Sequence, residues 1–76
     1  MKPNIVVRKG NKFVIDETKI LPYLKSNKDM ILTAVAIVCE DLKSNPDTYS
    51  SSPVDKLNQI NKNIYALLKE WGVYKE

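Results

Sequence analysis

The sequence predicts a small α+β fold: an N-terminal β-hairpin packed against two main α-helices, with a short connecting helical turn between them. Three observations carry this expectation. Two β-branched and aromatic runs flank a Gly-Asn pair near the start. An almost unbroken apolar run fills Met30 to Leu42, and a heptad-spaced apolar stripe follows Ser52-Pro53. One small domain of residues 1–76 results, with the hairpin in 1–16, a connecting turn or short helix in 17–28, a buried helix in 29–45 and an amphipathic helix in 52–72.

Ile5-Val6-Val7-Arg8 and Lys12-Phe13-Val14-Ile15 read as the two strands. Gly-Asn suits a two-residue hairpin turn, with glycine where a positive φ is required. Pairing Lys9 with Lys12 sets Arg8 opposite Phe13, Val7 opposite Val14 and Val6 opposite Ile15. One face then carries Val6, Phe13 and Ile15, the other Ile5, Val7 and Val14. A lone ribbon is barely stable in water, so the helices should cover one face.

In the connecting segment, Pro22 opposes a regular helix through Ile20, Leu21, Tyr23 and Leu24, so either a short helix after Thr18 or a single turn near Pro22 is expected. Ser26 with Asp29 three residues later resembles a capping box. The helix that follows is apolar on nearly every side, which predicts burial all round, and Asn45-Pro46 ends it. Asp47 to Ser52 is a polar loop in which Tyr49 and three serines resemble a modifiable segment; capping and flexibility explain the serines as well. In the last helix Ser52 is the expected cap and Pro53 the first helical residue. Leu57, Ile60, Ile64, Leu67 and Trp71 form its stripe, and Gly72 suits a left-handed stop with Val73 touching Leu68.

Composition excludes most chemistry. The 76 residues include no histidine, one cysteine and two glycines. Neither an intramolecular disulfide nor a zinc staple can be built, and no triad, phosphate loop or carboxylate pair is present. Cys39, amid Ile37, Val38 and Leu42, reads as a small core hydrophobe, and Glu40-Asp41 diverge around the helix. No enzyme activity, cofactor or metal is expected. A chain this short has a marginal core, so self-association, most simply a dimer, is the natural way to add stability. The expected covered surface is Val6, Phe13, Ile15, Ile60, Ile64, Leu67 and Trp71. The first residues show no signal peptide, and the longest apolar run is about half a membrane span. A cytoplasmic setting (the host cytoplasm for a phage-encoded chain) with no membrane partner follows as an expectation.

Charge is unevenly spread. The net value is +3, but residues 1–28 hold seven basic against two acidic residues, a balance of +5, while 29–76 balance at −2. Arg8, Lys9, Lys12, Lys19, Lys25 and Lys28 are the candidate phosphate contacts, with the first three clustered at the hairpin turn. Lysines at a ribbon end also block edge-to-edge aggregation, and a solvated lysine surface fits the same counts. On the last helix, Lys56, Gln59, Lys62, Asn63 and Lys69, with Asn58 and Asn61 nearby, suggest amides facing bases, or simply a solvated face. Trp71 and Tyr74 beside Lys69 and Lys75 suit a lid over the core better than a base-stacking platform.

The runs Ser52-Pro53-Val54-Asp55-Lys56-Leu57-Asn58 and Ile64-Tyr65-Ala66-Leu67-Leu68-Lys69-Glu70-Trp71-Gly72-Val73 resemble the last helix of the small terminase subunits of tailed phages. There a serine- or asparagine-proline start leads into a leucine-rich stretch and an acid-aromatic-glycine step. The likeness spans residues 52–73; the family's threonine-proline continuation after the glycine is missing here, and the N-terminal hairpin departs from its pattern. The resemblance implies a phage or mobile-element setting. The expected function is a non-enzymatic binding or assembly protein, oligomeric, contacting nucleic acid through its basic N-terminal region. The alternative is a protein-binding inhibitor or adaptor using the apolar hairpin face or edge.

Overall fold

The hairpin forms in the expected register. In a computed structural model that describes residues 4–73, strand β1 (Val6–Lys9) pairs antiparallel with β2 (Lys12–Ile15), Val6 opposite Ile15 and Lys9 opposite Lys12. Expectations placed on Lys2, Tyr74 and Lys75 lie outside the described residues. Gly10 has φ +61°, and no other residue in the turn has positive φ, which is the type II′ pattern. A 3-10 turn follows at Glu17–Lys19, capped by Asp16, whose carboxylate accepts from the Thr18 N–H at 3.1 Å and hydroxyl at 2.6 Å. This turn starts before the site expected near Pro22, because Asp16 supplies a cap that no residue next to Pro22 offers.

Helix α1 covers Lys25–Ser44, a second 3-10 turn Pro46–Thr48, and helix α2 Pro53–Glu70. The chain is thus a two-stranded hairpin followed by two main helices, a small α+β fold. Helix α1 starts four residues earlier than the expected Asp29, since Lys28 N–H reaches Leu24 C=O at 2.9 Å and closes a first turn ahead of it. Leu24 therefore occupies the cap position, with no side-chain bond, and the Ser26–Asp29 box does not form. Helix α2 ends as the sequence predicts. Gly72 has φ +76°, Gly72 N–H bonds to Lys69 C=O and Val73 N–H to Leu68 C=O, the paired bonds of a Schellman stop.

The core lies where both helices meet the inner face of the hairpin: Ile5, Val6, Ile31, Ala34, Val38, Ile60, Ile64 and Leu68 are buried in it. Phe13, Ile15, Leu67 and Trp71 pack against its edge, half-buried. Two expectations are corrected. Ile5 is 1 % exposed and belongs to this core, not to the outer face with Val7 and Val14, because it precedes β1 at a bend. Helix α1 is not buried all round: Leu32 and Ile37 are 42 % and 45 % exposed, and Cys39 is exposed too. One helix and one ribbon cover only one side of it.

Candidate nucleic-acid interface

The turn geometry gathers three cations at the hairpin tip. Alternation along the strands puts Lys9 and Lys12 on the outer face as a cross-strand pair, with Arg8 on the inner face beyond the helices. All three are exposed. Arg8 folds its side chain back so that Nε donates to Gly10 C=O at 2.9 Å, which fixes the guanidinium beside the turn. Like charges directly opposite on a ribbon repel. The Lys9/Lys12 pair is therefore an electrostatic cost to the free hairpin that an anion at the tip would remove.

Behind the tip, Val7, Lys9, Val14, Asp16 and Thr18 border an open hollow of about 560 Å³ on the outer face. Thr18 hydrogen bonds hold the Asp16 carboxyl below its ordinary value, helped by the nearby Lys19 and Lys9 charges. Asp16 and Glu17 make this hollow mixed in sign, so it is the tip that offers a purely cationic surface. Lys25 and Lys28 lie in the first turn of α1, which has no acidic residue and no side-chain cap. Basic residues there leave the positive end of the helix dipole uncompensated, a further place that favours an anion.

So the structure brings Arg8, Lys9 and Lys12 together, sets Lys19 beside Asp16, and puts Lys25 and Lys28 on a different element. For the expected partner surface it divides the residues. Val6 at 3 %, Ile60 at 2 % and Ile64 at 0 % exposure are sealed inside their own chain, and that assignment is corrected for them. The heptad stripe of α2 is spent on the protein's own core: Ile60 and Ile64 are buried in it, and Leu57, Leu67 and Trp71 pack against it. Phe13, Ile15, Leu67 and Trp71 retain some accessible surface.

The amide-rich face of α2 does different work from base contact. Asn61 is 4 % exposed; its Oδ1 accepts from Val6 N–H and its Nδ2 donates to Val6 C=O, both at 2.9 Å. One side chain thus imitates a neighbouring strand and ties β1 to α2. Gln59 Oε1 accepts from Ser50 N–H at 2.7 Å. Asn63 donates to the Tyr49 hydroxyl at 3.0 Å, and that hydroxyl donates to Asp41 at 2.9 Å. Tyr49 is a buried clamp on the loop, not a modifiable tip. A signal for Asn61 was present: it lies between Ile60 and Ile64 on the apolar side of the helix, where a polar residue needs a partner.

Among the described residues no group of acidic, cysteine or histidine side chains could hold a metal, and no helix is long and apolar enough to cross a membrane. No family model matches the chain, and neither a curated protein nor a solved structure matches it.

Proposed function

We propose that the chain is a small non-enzymatic binding protein, self-associating and of phage or mobile-element type, that contacts nucleic acid through phosphates without reading sequence. The observation that carries this reading is the tip itself: Lys9 directly opposite Lys12, with Arg8 pinned beside them on a narrow ribbon. A two-stranded ribbon is of a size to lie along a phosphate backbone or enter a major groove, and phosphate contacts need only charge and reach. Lys19, Lys25 and Lys28 add positive charge on the following elements, apart from the tip.

Fluorescence anisotropy with duplex and single-stranded oligonucleotides across a salt series tests it. Each phosphate contact contributes about −0.9 to the slope of log K against log salt, so three tip contacts predict roughly a fortyfold loss between about 50 and 200 mM. Arg8→Gln with Lys9→Gln should flatten the slope by roughly 2. Absent binding at low salt, or binding indifferent to salt, rejects the mechanism. The second reading, a protein-binding inhibitor or adaptor, draws on the open edge of β2, whose own charge pattern favours the occupant argued next.

A further inference from the structure

The two edges of the hairpin are not equivalent. That of β1 is closed at Val6 by the Asn61 amide. What β2 presents on its far side follows from the hydrogen-bond alternation. Asp16 N–H bonds to Ile5 C=O at 2.7 Å, which makes Ile5 and Asp16 a bonded pair. Val6/Ile15 is then non-bonded, Val7/Val14 bonded and Arg8/Phe13 non-bonded. The N–H and C=O groups of Phe13 and Ile15 accordingly point away from β1, and among the described residues nothing pairs with them.

We infer that this edge pairs with the same edge of a second copy, β2 against β2, antiparallel about a two-fold axis through Val14. The inference rests on the self-association included in the proposed function and supplies its surface. The strand is self-complementary in one register. Phe13 faces Ile15 of the second copy, so each outward N–H meets an outward C=O. Lys12 then lies opposite Asp16 of the second copy, at the two ends of the paired strands. The basic end of each strand runs beside the acidic end of the other, and opposite charges directly across a ribbon attract. A two-residue shift either way keeps the bonding parity but sets Lys12 or Asp16 against Val14 and forfeits the charge match. A one-residue shift points the bonding groups the wrong way.

Packing agrees on both faces. Val7 and Val14 stand half-buried on the outer face, and the pairing continues their row into the second copy. On the inner face Phe13, Ile15, Val35, Cys39 and Leu42 border a hollow of about 430 Å³ next to the strand. A two-fold axis perpendicular to the sheet puts the second copy's inner face on the same side, where its own Phe13 and Ile15 extend this apolar surface. A two-stranded ribbon packed on helices becomes a four-stranded sheet backed by four helices, which lengthens the apolar face that the helices cover.

Sedimentation equilibrium of the full chain from micromolar to millimolar concentration, together with amide hydrogen exchange, decides it. The expected result is a reversible dimer of the 8.7 kDa chain, with Phe13 and Ile15 amides increasingly protected as concentration rises. Lys12→Glu makes both charge pairs repulsive and should weaken the dimer by about tenfold or more. Adding Asp16→Lys to it reverses each pair and should restore most of the affinity; circular dichroism confirms the fold of each variant, and should the double variant lose its turn, the wild-type exchange data decide. A chain that stays monomeric to millimolar concentration overturns the inference and the self-association with it. A dimer indifferent to Lys12→Glu whose Phe13 and Ile15 amides exchange at a concentration-independent rate overturns the edge alone.

Discussion

Asn61 gives both ends of its amide to a single residue of β1, and Val6 is buried enough that water cannot replace either bond. Truncating Asn61 to alanine orphans a buried N–H and a buried C=O together, each costing about 1–3 kcal/mol, so urea denaturation should show a loss of about 2–6 kcal/mol. Asn61→Asp keeps the acceptor for Val6 N–H yet loses the donor to Val6 C=O and adds a buried charge; it should be no milder. Tyr49 makes a different demand. Burial first, and then the hydrogen bond it donates to Asp41, raise its pKa above the ordinary value of 10.0. The folded chain therefore holds this proton more tightly than the unfolded one. The stability it contributes is whole below pH 10.0 and falls as the pH climbs from there through the raised folded value. Tyr49→Phe should flatten that alkaline decline in a series of denaturation curves, while lowering stability at neutral pH through the lost bonds to Asp41 and Asn63.

Helix ends separate what a linear pattern specifies from what tertiary contact decides. Gly72 stops α2 with φ +76°, and no atom lies close to where a Cβ would stand, so Gly72→Ala tests backbone strain alone. It should cost about 1–2 kcal/mol in thermal or urea unfolding. Ser52 occupies the cap position of α2, but its side chain makes no capping bond. Ser52→Ala should consequently fall below the roughly 1 kcal/mol typical of a working cap. The hairpin register, both helices, the Pro53 start and the Gly72 stop were readable because each is set by residues within a few positions of one another. The start of α1, the exposure of Cys39 and the roles of Gln59, Asn61 and Asn63 were not, because each depends on what another element leaves open or supplies. Asn61 meets Val6 across 55 residues of chain, a pairing no local periodicity encodes. The basic cluster at the tip could be read from sequence because the turn itself assembles it; the burial of Ile60 and Ile64 decided only on folding that the α2 stripe faces inward.

For the whole molecule, charge and assembly make opposing predictions that one substitution separates. Pairing β2 with β2 sends the two hairpin tips in opposite directions from a common sheet, so a dimer offers two tips on one body, each with Arg8 and Lys9 open to phosphate while Lys12 is paired with Asp16 of the second copy. Two linked contacts bind a single strand or duplex more tightly than either alone wherever both can engage at once. Asp16→Lys adds positive charge next to Lys9 and Lys19, which by itself strengthens attraction to phosphate. The same change sets lysine opposite Lys12 of the second copy and repels the pairing. If two joined tips do the binding, Asp16→Lys should weaken affinity for a long oligonucleotide despite the higher charge, and strengthen or spare it for one too short to reach both tips. Tighter binding to both lengths would show that single tips act alone. The unfolding temperature reports on the same linkage without nucleic acid: association with a second copy stabilises the folded chain by mass action, so the midpoint should rise with wild-type concentration and stay fixed for Asp16→Lys.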